Sequence, residues 1–124
     1  MAKRIMIIDD ERDVLIYLKT LFEKHGYETE TAKDGEEGYV KTKEFRPDLI
    51  TLDILMPKQS GIRLYSRIKK DDQLKDVPVI VLTGLSKYRQ FYSQDFSESG
   101  LPDAFIEKPI QPENLMKIVK ELIE

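Results

Sequence analysis

Five short strand-like runs are spaced along this sequence, and an amphipathic or polar stretch follows each one. The runs are IMII between Arg4 and Asp9, ETETA between Tyr27 and Lys33, LITL between Asp48 and Asp53, PVIVL between Val77 and Thr83, and FIE between Ala104 and Lys108. The second run alternates and is the weakest; the others are mostly apolar. Strands apolar throughout belong to a parallel sheet covered on both faces. Val14, Leu15, Leu18, Leu21 and Phe22 share one helical face, closed by His25-Gly26. A second helix starts at Asp34 and stops before Pro47. A third spans Ser60 to Lys70, with Ser60 as its expected cap and with Ile62, Leu64, Tyr65 and Ile68 as its apolar residues. A fourth falls within Ser86–Ser99, and a fifth follows Pro112 with Leu115, Ile118, Val119 and Leu122 inward. The pattern is (βα)5. Right-handed crossovers place helices on both faces of the sheet, which makes the fold class α/β and doubly wound. No long linker interrupts it, so residues 1–124 are expected to form one domain.

Composition narrows the chemistry. The chain has 124 residues, no cysteine and one histidine, His25. Disulfides, thiolate metal sites and a cysteine nucleophile are excluded, and so is a histidine-rich zinc site. Twenty basic against 23 acidic residues leave a net charge of -3. That balance argues against unaided nucleic-acid binding, which needs clustered Lys and Arg. No apolar run approaches the ~20 residues of a membrane helix, and the N-terminus is no signal peptide. A reducing, cytoplasmic setting is expected.

In a sheet of this kind ligands bind beyond the carboxyl ends of the strands. Four polar signals fall there: Asp9-Asp10 after the first strand, Asp53 at the end of the third, Thr83 at the end of the fourth and Lys108 after the fifth. Each has an ordinary explanation alone. Asp9, Asp10 or Asp13 could cap the first helix, Thr83 could be a strand-end hydroxyl, and Lys108 could reach out to water. Together they form a chemical set. Neighbouring carboxylates suit a hard divalent ion such as Mg²⁺ or Mn²⁺. A carboxylate beside that ion can attack phosphorus, and a lysine and a hydroxyl can hold phosphoryl oxygens. Pro109 is a candidate cis-proline, since X-Pro bonds alone adopt cis at modest cost.

These residues resemble the receiver domain of two-component response regulators. The resemblance rests on Ile8-Asp-Asp-Glu11, Asp53-Ile-Leu-Met-Pro57 with Ser60-Gly61, Val81-Leu-Thr-Gly84 and Glu107-Lys-Pro109. It implies a flavodoxin-like fold with strand order 2-1-3-4-5. It further implies that Asp53 is the phosphoacceptor and that Asp9, Asp10, Asp53 and the Leu55 backbone carbonyl are the metal ligands. Thr83 and Lys108 would bind the phosphoryl group, and Phe105 would be the aromatic switch. The implied partners are a histidine kinase or histidine phosphotransfer protein as donor and an unspecified protein target, with no direct contact to nucleic acid and no membrane insertion. The implied activity is confined to the domain's own phosphorylation and slow dephosphorylation. The switching face would comprise the fourth helix, fifth strand and fifth helix.

Three departures from the family pattern stand out. Phe105 has no hydroxyl where a tyrosine is common, so its switch is expected to run on packing. The segment from Thr83 to Lys108 is long and carries Tyr88, Phe91, Tyr92 and Phe96; the first three share a helix face expected to pack on the sheet, the alternative being an exposed aromatic patch for a partner. Leu55 and Leu85 flank the site and are expected to shield the phosphoryl group from water. The alternatives are an interaction module that works unphosphorylated and an aspartate-nucleophile phosphohydrolase. The latter usually carries a second Asp where this chain has Leu55.

Overall fold

The computed structural model describes residues 2–84 and 100–124. Strands β1 (Arg4–Ile8), β2 (Glu28–Ala32), β3 (Leu49–Asp53), β4 (Val79–Thr83) and β5 (Ala104–Glu107) form one parallel sheet in the order β2-β1-β3-β4-β5. Helices α1 (Arg12–Lys24), α2 (Gly35–Phe45), α3 (Ser60–Lys70) and α4 (Pro112–Ile123) connect and flank them. The helix expected within Ser86–Ser99, with its aromatic residues, lies outside the described residues, as does Leu85.

The two-residue alternation of each strand divides the core in two. Ile5 and Ile7 of β1, with Leu49, Ile80 and Leu82, pack with Leu18 and Phe22 of α1 and with Leu115 and Val119 of α4. Met6 and Ile8, with Ile50, Leu52, Val79 and Val81, pack with Leu64, Tyr65 and Ile68 of α3. The central strands β1, β3 and β4 are therefore buried on both faces, while the edge strands β2 and β5 are partly exposed. The resulting strand register sets the site. Ile8 pairs with Leu52, Asp53 with Leu82, and Thr83 with Glu107, so the strand ends stand level along one edge.

Local chemistry sets the helix boundaries. The Asp34 side chain accepts from the Glu37 N–H at 2.8 Å and caps α2. Gly35 and Gly38 let α2 lie directly on Ser60 and Leu64 of α3; a Cβ at Gly38 would sit 2.9 Å from a Leu64 methyl. Helix α3 begins differently from the sequence expectation. A turn at Pro57–Gln59, in which Lys58 is left-handed at φ 59, ψ 26, precedes it, and Ser60 is already helical at φ -64, ψ -28. Proline at the first position starts that turn without losing a hydrogen bond. Ser60 therefore does not serve as the cap.

Candidate functional site

The site forms where the chain leaves β1, β3, β4 and β5. Asp53 is the last residue of β3 and continues the alternation of Leu49 and Thr51, so its carboxylate lies on the α1/α4 side of the sheet edge. Asp9 follows β1. It is 0% exposed and Asp53 is 3% exposed, whereas Asp10 is open to solvent. One carboxylate oxygen from each of Asp9, Asp10 and Asp53 lies within 4.8 Å of the others. Three carboxylates so close repel one another, and two are out of water. Such a cluster persists only with compensation.

Part of that compensation is internal. Lys108 Nζ donates to Asp9 Oδ2 at 3.0 Å and stands 3.7 Å from Asp53 Oδ2. The Glu11 N–H donates to Asp9 Oδ1 at 2.9 Å, and the Leu55 N–H donates to Asp53 Oδ1 at 3.0 Å. These bonds do not balance the site. Burial pushes the Asp53 carboxyl up to about 7, and the charge of Asp9 adds to the effect; the Leu55 N–H and Lys108 oppose it. Lys108 moves the other way. Burial disfavours its charge, but the hydrogen bond to Asp9 and the charges of Asp53, Asp9 and Glu11 outweigh that and hold its pKa above the usual lysine value. Among the described residues the site thus brings one lysine, Lys108, against three acids. Its remaining donors are hard carboxylate oxygens, which fit a hard divalent ion.

The backbone beneath Asp53 is braced. A Cβ on Gly61 would lie 2.5 Å from the Asp53 carbonyl oxygen and 2.9 Å from Ile54 Cα, so only glycine allows α3 to start this close to β3. Thr83 is buried at the end of β4, and its carbonyl accepts from the Lys108 N–H at 2.7 Å. The Lys108–Pro109 peptide bond is cis. Phe105 is half-buried against the core cluster that contains Val81 and Tyr65. Leu55 is 36% exposed at the rim. Asp9, Asp10, Asp53, Leu55, Thr83, Phe105, Lys108 and Pro109 therefore fall on this one edge or on the strand leading to it. Sequence reading did not anticipate the pairing of Lys108 with Asp9, nor the hydrogen bond from the Tyr65 hydroxyl to the Gly100 carbonyl. A groove of about 620 Å³ lies elsewhere, between α1 and α4, lined by Tyr17, Leu21 and Met116 among others.

An open parallel sheet of this order, with an acidic cluster and one lysine at its carboxyl edge, defines a class: doubly wound α/β proteins that handle a cation or phosphate at the switch point. Residues 5–120 match the family described as the response regulator receiver domain. Over 123 residues the chain is 32% identical to the polar-differentiation response regulator DivK of Brucella anthropi, spanning 99% of this chain and 98% of DivK. Over 120 residues it is 34% identical to the DNA-binding dual master transcriptional regulator RpaA of Synechocystis sp., spanning 97% of this chain and 48% of RpaA. It thus spans about half the length of the transcriptional regulators among its curated relatives. Among solved structures, Vibrio cholerae chemotaxis protein CheY4 is similar with a TM-score of 0.88 at 26% identity, covering 98% of this chain and 99% of that one. Response regulator TrrA of Thermotoga maritima, in complex with Mg²⁺-BeF, is similar with a TM-score of 0.82 at 36% identity, covering 97% and 98%. The chain belongs to the response regulator receiver domain family.

Proposed function

We propose that residues 1–124 act as a phosphoacceptor unit in which Asp53 takes a phosphoryl group from a phosphohistidine. The observation that carries this is the convergence of Asp9, Asp10 and Asp53 at the sheet edge with Lys108 beside two of them. An Asp53 carboxylate oxygen attacks phosphorus, the phosphorus–nitrogen bond breaks, and the donor imidazole leaves with the bonding pair. Asp9, Asp10, Asp53 and the Leu55 carbonyl would hold Mg²⁺ or Mn²⁺, which when bound neutralises charge on the phosphoryl oxygens. Lys108 can exchange its hold on Asp9 for a phosphoryl oxygen, and the Thr83 hydroxyl supplies a second contact. Phosphoryl transfer asks mainly for such positioning and charge neutralisation.

The donor is a histidine kinase or a histidine phosphotransfer protein, and the recipient of the signal is a protein. Phe105 on β5 is the element whose packing changes, which remodels the face it shares with α4. Modification adds charge and acceptor oxygens and shifts a two-state population. The Mg²⁺-BeF complex of the Thermotoga maritima relative supports this chemistry. Incubation with a small phosphodonor and Mg²⁺, followed by intact-mass measurement, tests it. One retained phosphoryl group, absent in Asp53→Asn, is expected. No adduct with the donor intact would favour an unphosphorylated interaction module, and turnover of donor without an adduct would favour a phosphohydrolase.

A further inference from the structure

Helix α3 buries one face made of Gly61, Leu64, Tyr65 and Ile68. Gly61 and Tyr65 stand four residues apart and therefore share that face one turn from each other. Gly61 is seated against the Asp53–Ile54 backbone. Tyr65 is 1% exposed and reaches the other way: its Oη donates to the Gly100 carbonyl at 3.0 Å. Gly100, at φ +82, lies four residues before β5. Asp103 ties the same root to β4. Its N–H donates to the Val79 carbonyl at 3.0 Å, and its Oδ2 accepts from the Val79 N–H at 2.8 Å. From this root β5 carries Phe105, partly buried against the core cluster that holds Tyr65, and runs out to Lys108 at the site.

We infer that the Tyr65 hydroxyl is a positioning latch that couples the β3–α3 corner beneath Asp53 to the root of β5. A helical turn is stiff, so a displacement of Gly61 is carried to Tyr65 and through its hydrogen bond to Gly100. Phe105 and Lys108 then respond to the Asp53 corner from below as well as through the site itself. The coupling takes its signalling meaning from the phosphoacceptor role, but its mechanical part can fail separately.

Tyr65→Phe removes the hydroxyl and keeps the ring, so the core volume is preserved. Amide hydrogen exchange is followed on the full ligand-free chain at Asp103, bonded to Val79, and at Leu55, bonded to Asp53, with Ile7 in β1 as the correction for global opening. Both amides are expected to exchange about fivefold faster in the variant, as loss of one neutral hydrogen bond implies. Faster exchange at Asp103 with Leu55 unchanged would confine Tyr65 to local packing and overturn the coupling, as would no change at either. In a second arm, Mg²⁺ with beryllofluoride is the probe. Amide shifts at Leu55 are expected to spread to Gly100–Phe105 in the wild type and to be smaller there in Tyr65→Phe. Equal spread in both proteins would also overturn the coupling. A wild type that does not bind beryllofluoride counts against the phosphoacceptor role, and the ligand-free exchange then decides the latch alone.

Discussion

Gly61 shows how a single hydrogen in place of a methyl can set a site. Its Cα lies so close to the Asp53 carbonyl and Ile54 Cα that a Cβ would collide with backbone at 2.5 and 2.9 Å. Backbone cannot rotate away as a side-chain tip can, so either β3 or the start of α3 must move. Gly61→Ala is expected to lower unfolding stability by about 1–3 kcal/mol, the range for overpacking, and to reduce phosphoryl uptake at Asp53. Denaturant unfolding and intact mass read the two effects. Wild-type stability and full uptake in the variant would show that the corner is not rigid.

At the scale of elements, α2 and the end of α3 are joined by one carboxylate. Asp71 accepts from Tyr39 Oη at 2.6 Å, from Lys43 Nζ at 2.9 Å and from the Gln73 N–H at 2.8 Å. The Arg67 guanidinium lies 3.8 Å from the Tyr39 ring centroid on the same face. Hydrogen bonds from Tyr39 and then Lys43 hold the Asp71 carboxyl down at about 2, against an ordinary value of 3.8. A depressed folded-state pKa means the stabilisation is complete above the unfolded value and is lost as pH falls through the folded one. Asp71→Asn should therefore unfold at lower urea than the wild type at pH 6. The gap should narrow from about pH 4 downward and close near pH 2. A gap independent of pH would show that the carboxylate charge contributes nothing to the α2–α3 junction.

For the whole molecule, the acidic edge is a load on stability that a bound cation would relieve. Three carboxylates meet there, two of them out of water, and burial holds Asp53 near 7. A ligand that binds only the folded chain stabilises it by mass action, by roughly 2.7 kcal/mol at a hundredfold excess over Kd. Mg²⁺ is expected to raise the melting temperature of the wild type and to leave the double variant Asp9→Asn, Asp10→Asn unmoved. An equal rise in both would place the binding elsewhere. Across the described residues, the five strands and four of the five expected helices were legible because short apolar runs and helical spacing differ in period. Asp9, Asp53, Thr83 and Lys108 could be grouped because a parallel sheet brings its strand ends to one edge. The start of α3 was not legible: the turn before it depends on a left-handed Lys58, at φ 59, and leaves Ser60 helical instead of capping.

What the sequence determined by itself is the order of the units, the burial of the central strands on both faces and the residue types at the strand ends. Those follow from periodicity and from the cost of burying charge, both local properties of the chain. The tertiary structure alone decided that Lys108 grips Asp9 more closely than Asp53, and that Tyr65 binds Gly100. Those partners are 99 and 35 residues apart. Their distances are set by how helices seat on a sheet, to a fraction of an ångström, and no local pattern of residues encodes that.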